Sequence, residues 1–422
     1  MPDSVFLSII FIAFFTFSAP FPVLFSSYSA RSLYIQNAHR VNSCFQFPVF
    51  YYFHHKIINS SIMKQNIILF FIALFVAFQL KAVSPYPVRG LCIAAPGPDL
   101  VDEFVDFIDN ELAPAGTNLL ILRVDWAYEY KSRPELVGNN PLSENDVKKL
   151  VKVCNENNIR LIPQINLFGH QSWHSTLGKL LEVYPKFDET PDIELPPPGT
   201  YEWPNKDGLY CKSYCPRHPD VHEVVFDVVG EIVEAFETDA FHAGLDEVFY
   251  IGHEQCPRCY GRDKAELFAS EVTKIRNYLA KTGTELWMWG DRLIDGKTTG
   301  IGLWEGSYNN THRAIDMIPK DVVICDWHYE RPDPTAVLFA AKGLQALTCP
   351  WRNGELAVQQ EEMMRTFIEG ATDEMKPRYL GMLQTVWGPA KRFIETYKGT
   401  GDPEQPDRSA ECFKELVKVW NE

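Results

Sequence analysis

Residues 241–250 read FHAGLDEVFY. The segment opens apolar, breaks at Gly244, sets Asp246 and Glu247 side by side, and turns apolar again at Val248. An apolar run ended by glycine predicts a buried strand whose C-terminal end reaches a polar cleft. Carboxylates in such a place are costly to desolvate unless they are paired or used, which makes Asp246 and Glu247 a candidate site. An acidic strand-to-loop turn, or an acid capping the next helix, would produce the same pattern. The flanking chain has to decide between these readings.

Outward from this segment the pattern alternates. Strand-like runs precede it at residues 89–95 (RGLCIAA), 118–125 (NLLILRVD) and 160–167 (RLIPQINL). Others follow at 284–289 (TELWMW), 322–327 (VVICDW), 344–349 (LQALTC) and 379–387 (YLGMLQTVW). Helical spacing falls at 100–112, 143–157, 221–237, 264–281, 334–342, 356–372 and 390–397, with Ser143 as a cap, and a proline-rich loop runs from about 171 to 218. Alternating strands and helices predict parallel strands joined by helical crossovers. Eight strand-like runs favour a closed (β/α)8 TIM barrel of the α/β class, one domain over residues 85–422. Polar and aromatic residues cluster at the strand ends: Arg89 at the first strand, then Asp125, His170, Asp246, Glu247, Trp289, Asp291, Asp326, Trp327, Tyr329, Trp351 and Trp387. The C-terminal strand ends of such a barrel form a single face, so residues distant in sequence converge there.

The 422 residues carry a net charge of −15, which disfavours a nucleic-acid partner. The 10 Trp, 18 Tyr and 28 Phe suit a large core, and a surplus of Trp also suits stacking against sugar rings. The first 84 residues do not read as a folded domain. Residues 63–66 (MKQN) form a short basic start, 67–80 an apolar run too short for a comfortable span, and 81–84 (KAVS) a small-x-small end. Residues 63–84 are therefore expected to be a signal peptide and 1–62 an upstream extension or hydrophobic leader. The mature chain is expected to be secreted or periplasmic, touching membrane only through the signal segment; a genuine N-terminal anchor is the rival reading.

The strand-end residues resemble family 20 of the glycoside hydrolases, the β-N-acetylhexosaminidases. That family carries H-x-G-G-D-E at the fourth barrel strand, and here the segment is His242-Ala243-Gly244-Leu245-Asp246-Glu247. Arg89-Gly90 at the first strand, Gly169-His170 after the third and Trp387 at the last are similar to further family features. Leu245 replaces a glycine, and Gln164 and Asn166 stand where acids are usual. Little chain remains before the first strand for the small α/β domain that often precedes the barrel, which looks closer to the single-domain hexosaminidase D-like branch.

The resemblance implies hydrolysis of terminal β-linked N-acetylhexosamine from a glycan, with the substrate's own 2-acetamido oxygen as nucleophile. Asp246 would orient the acetamido group and Glu247 would be the general acid/base. Two neighbouring carboxyls resist ionising together, which suits one acid and one carboxylate. By the same resemblance Arg89 would bind sugar hydroxyls, and His170 the acid or a hydroxyl. Tyr329 would donate to the acetamido oxygen, Trp289, Trp327 and Trp387 would wall the pocket, and Asp291 and Asp326 would be further polar contacts. For Arg89 the alternative is a salt bridge at the barrel bottom, and for each Trp ordinary core packing. No cofactor is needed. A barrel glycosidase of another sugar class using an ordinary carboxylate pair, or a non-catalytic sugar-binding relative, are the competing functions.

Of the 10 cysteines, Cys211, Cys215, Cys256 and Cys259 pair up in two loops about forty residues apart. They are expected to staple those loops by disulfides or a structural zinc, with free thiols as the remaining alternative. Cys92, Cys154, Cys325 and Cys349 sit in apolar contexts and read as core.

Overall fold

The computed structural model describes residues 87–200 and 211–422; the expected signal peptide at 63–84 and the 1–62 extension lie outside them. Eight strands close into a barrel: β1 Val88–Ala94, β2 Leu119–Arg123, β3 Arg160–Leu167, β4 Ala240–Gly244, β5 Glu285–Trp289, β6 Val323–Trp327, β7 Gln345–Cys349 and β8 Tyr379–Thr385. Each pairs in parallel with its neighbours in chain order, and β8 closes on β1. All eight coincide with the runs expected from sequence to within two residues at either end, because each is a short, mostly apolar run.

Helices α1 Val101–Phe107, α2 Glu144–Glu156, α3 Val221–Ala235, α4 Lys264–Leu279, α5 Ala336–Ala341, α6 Gly354–Gly370 and α7 Ala390–Lys398 wrap the barrel. Ser143 caps α2, accepting the Asp146 N–H while the Asp146 carboxylate accepts the Ser143 N–H. Between β5 and β6 the chain makes a short helix, Gly296–Thr299, and two 3-10 segments, Asp291–Leu293 and Thr311–Asp316. Three elements go beyond the sequence reading. The proline-rich loop holds a small hairpin (Ser172–Trp173 with Thr176–Leu177) and a short helix, Lys179–Val183. A last helix, α8 Arg408–Asn421, is capped by Asp407 and packs on α6 and α7; its Asp cap and the spacing of Ala410, Phe413, Leu416 and Trp420 were available signals.

Strand parity decides which side chains reach the site, because successive residues point to opposite faces. One core cluster fills the barrel: Cys92, Leu119, Ile121, Ile162, Ala240, Trp287, Trp289, Val323, Cys325, Trp327, Leu347, Cys349 and Leu383. The other lies between barrel and helices and takes the alternate residues, such as Leu91, Ile93, Leu120, Leu122, Phe241, Ala243 and Ile324. Just past β2, β3 and β4 the backbone turns left-handed at five non-glycine residues: Asp125 (φ 47°), Phe168 (φ 65°), His170 (φ 53°), Leu245 (φ 66°) and Glu247 (φ 49°).

Candidate active site

β4 ends at Gly244, and the left-handed residues at 244, 245 and 247 swing Asp246 and Glu247 to the mouth of the barrel, where both are nearly buried. The loop after β3 presses against this turn. A side chain at position 169 would collide with the Asp246 carbonyl oxygen, so only glycine lets the two loops meet. That approach brings His170 to the two acids. Its Nε2 lies 2.9 Å from Asp246 Oδ2 and 3.2 Å from Glu247 Oε2. The Cys211 thiol donates to Glu247 Oε2 at 3.3 Å and lies 3.4 Å from His170 Nδ1. Asp291 Oδ2 accepts the Glu247 N–H at 2.9 Å.

The electrostatics follow from this packing. Burial opposes charge on Asp246, but the adjacent His170 outweighs it and holds the carboxyl below its usual range. Burial likewise disfavours a charged His170, yet Asp246 and Cys211 raise its pKa well above the ordinary histidine value. Asp291 goes the other way: burial pushes it up to about 6 although Arg292 Nε sits 2.6 Å from its Oδ2. Asp246 Oδ1 is buried with no hydrogen-bond partner.

Beside the acids lies an aromatic lining. Trp289 and Trp327 belong to the barrel interior, and Trp304, Tyr329 and Trp387 pack against it. Trp289 contacts His242 (ring centroids 4.5 Å apart) and Trp387 (5.6 Å). Tyr329 lies 4.9 Å from Trp327. The Tyr329 hydroxyl accepts from Trp387 Nε1 at 2.9 Å and lies 3.3 Å from Thr385 Oγ1, whose single proton goes to the Pro350 carbonyl at 2.7 Å; the phenol keeps its own proton. Burial raises the Tyr329 pKa well above that of a free phenol and keeps that proton in place.

Several expected residues lie elsewhere. Arg89 is near the N-terminal end of β1, with the outward parity of Leu91 and Ile93; its guanidinium lies against Gly116 and 3.5 Å from the Trp420 carbonyl at the barrel bottom. It therefore does not belong to the mouth, and among the described residues it makes no salt bridge such as its alternative named. Asp326 shares the outward parity of Ile324 and is held by Thr335 Oγ1 (2.6 Å) and His328 Nε2 (3.0 Å). Asp291 faces Arg292 and the Glu247 backbone, so it braces the acid turn. The four cysteines also divide: Cys211 joins His170 and Glu247, while Cys215, Cys256 and Cys259 group with Glu189. Among the described residues no disulfide links them.

Arg123, absent from the sequence-derived site, takes the place expected of Arg89. It ends β2 with the inward parity of Leu119 and Ile121, donates to the Val386 carbonyl at 2.8 Å, and lies 4.8 Å from the Trp387 ring. A lone arginine closing an otherwise apolar strand two residues before Asp125 was the available signal. Glu305 was missed as well; it accepts the Tyr329 N–H at 3.2 Å and pairs with His328 Nδ1 at 3.0 Å.

His328 yields a pH prediction. Burial alone would lower its pKa from 6.5, but Asp326 and Glu305 raise it to about 10. A raised histidine contributes stability that is complete below about pH 6.5 and lost as pH climbs toward 10. Denaturant titrations across that range should show stability falling. His328→Gln should cost about 3–5 kcal/mol near pH 6.5 by breaking a buried pair, with the deficit shrinking toward pH 10. A deficit that stays constant with pH would refute the assignment.

The catalytic-domain model of glycosyl hydrolase family 20 matches residues 122–388, more than half of the chain. A beta-hexosaminidase of Emericella nidulans is 24% identical over 276 residues, covering 59% of this chain and 41% of that protein. Hexosaminidase D of Bos taurus is 22% identical over 192 residues, covering 43% of this chain and 48% of that protein. The matches thus span less than half the length of these curated relatives. Among solved structures, a beta-N-acetylhexosaminidase superposes with a TM-score of 0.54 at 18% identity, over 79% of this chain and 76% of that one. A Flavobacterium johnsoniae chitobiase gives 0.54 at 16% identity, over 80% and 51%. The structural likeness concerns the barrel, and the family match runs from β2 to the residue after Trp387, so this chain belongs to glycosyl hydrolase family 20.

Proposed function

We propose that the protein is a retaining exo-β-N-acetylhexosaminidase that removes terminal β-linked GlcNAc or GalNAc by substrate-assisted catalysis. The observation that carries this is the pair Asp246 and Glu247, adjacent in sequence at the end of β4 and bridged by His170 Nε2. Substrate-assisted cleavage needs one ionised carboxylate for the acetamido N–H and one proton donor for the leaving oxygen. Asp246, kept ionised beside His170, takes the first role, and its unpartnered Oδ1 is the acceptor for the N–H. Tyr329 donates its remaining proton to the acetamido oxygen as that atom attacks the anomeric carbon, and the aromatic lining receives the methyl group. Glu247 gives its proton to the glycosidic oxygen and then takes one from the water that opens the oxazolinium. Arg123 is placed to bind sugar hydroxyls, since a fixed guanidinium fork matches a vicinal diol.

A panel of nitrophenyl β-glycosides tests the proposal. Rapid release is expected only from the 2-acetamido sugars, with inhibition by a thiazoline that mimics the oxazolinium. Equal turnover of glucoside and N-acetylglucosaminide would mean an ordinary carboxylate-pair glycosidase, and no turnover with retained sugar binding would mean a lectin-like relative.

A further inference from the structure

A second cluster of chemistry-bearing side chains lies outside this site. Cys215, Cys256, Cys259 and Glu189 are all buried, and one ligand atom from each falls within 4.8 Å of the others. The Cys215 sulfur is 3.6 Å from that of Cys259 and 3.5 Å from that of Cys256. A disulfide would require about 2.05 Å, and three cysteines cannot all pair with one another. Zinc–sulfur bonds of about 2.3 Å in a tetrahedron instead set sulfurs roughly 3.8 Å apart, close to what is found.

The fourth corner is a carboxylate already aimed inward. Glu189 Oε1 accepts the N–H groups of Gly252 (2.9 Å) and His253 (3.1 Å), whereas Oε2 is buried and makes no hydrogen bond of standard geometry. A buried carboxylate oxygen beside three thiols is costly unless a cation joins them. The backbone is arranged for thiolates as well. Cys-Pro-Arg occurs at both 215–217 and 256–258, and in each the N–H of the arginine is directed back at the cysteine sulfur. The Cys256 carbonyl accepts the N–H groups of Cys259 (3.2 Å) and Tyr260 (2.9 Å), a tight turn that presents both sulfurs to one point.

We propose that Glu189, Cys215, Cys256 and Cys259 form a closed Cys3Glu site for a structural zinc ion. Three soft sulfurs with one oxygen, and no open position, suit zinc better than the all-oxygen ions magnesium or calcium. The ion would staple the loop after β3, which supplies Glu189 and Cys215, to the loop after β4, which supplies Cys256 and Cys259. The first of these loops also carries Cys211 to Glu247.

The test uses the full chain purified without chelator. Elemental analysis should find about one zinc per chain, released by a mercurial reagent and detected by a colorimetric zinc dye. Prolonged chelation should lower the melting temperature by at least about 5 °C, restored by zinc but not by magnesium. Cys256→Ser/Cys259→Ser should contain no zinc, and Glu189→Gln should lose it at a lower chelator concentration than the unaltered protein. If the double variant does not fold, the zinc content and chelator response of the unaltered chain still decide. Metal-free protein with all three thiols titrating, a mapped disulfide at Cys215, or zinc retained in the double variant would each overturn the proposal. Because these readouts are metal content and melting, they stand apart from glycosidase activity.

Discussion

Glu247→Gln is expected to slow hydrolysis of a phenyl N-acetyl-β-glucosaminide on the order of 10²–10⁴-fold, the usual worth of general acid–base catalysis. The substitution keeps the size and the oxygen that accepts the Cys211 thiol, so folding should be preserved, as a melting curve would verify. What it removes is the proton. The loss should therefore depend on the leaving group: severe for phenol, much smaller for dinitrophenol, which departs without protonation. Measuring kcat/KM on both substrates checks this, and near-unaltered turnover of the phenyl glycoside would sink the assignment.

Asp246→Asn should cost on the order of 10²–10³-fold, comparable with deleting a preorganised electrostatic contact, and a better leaving group should not restore it. The missing element is the negative charge that balances the oxazolinium and fixes the acetamido N–H. The substitution also removes the largest influence holding His170 protonated. The His170 pKa should fall, which an NMR titration of its imidazole would show. The same leaving-group dependence as Glu247→Gln, or an unmoved His170 titration, would contradict the division of labour between the two acids.

The eight strands and the acidic pair were legible because both are local. Each strand is one contiguous apolar run, and Asp246-Glu247 interrupts such a run at its end. The residues that were misplaced depended on parity and on long loops. Arg89 and Arg123 both lie in apolar strands, but the inward parity of Cys92 turns Arg89 outward, while Leu119 and Ile121 carry Arg123 to the mouth. Asp326 was misread for the same reason. Glu189 and Cys211 come from a loop with no periodicity, where only tertiary packing reveals that one joins three cysteines and the other joins Glu247. The last helix was simply overlooked, since its cap and its spacing are both in the sequence.

The left-handed residues past β2, β3 and β4 bear on how this rim can be altered. A non-glycine residue in that conformation costs about 1–2 kcal/mol, and five of them, Glu247 and His170 included, lie at this rim. The burial supplied by the barrel wall offsets that cost. Glycine at position 245, where the family pattern has it, would relax the turn and at the same time loosen the residues that aim the carboxylates. Durability and catalytic aim therefore oppose each other at this rim, and a sturdier protein is better sought in the helices and strand bases below it.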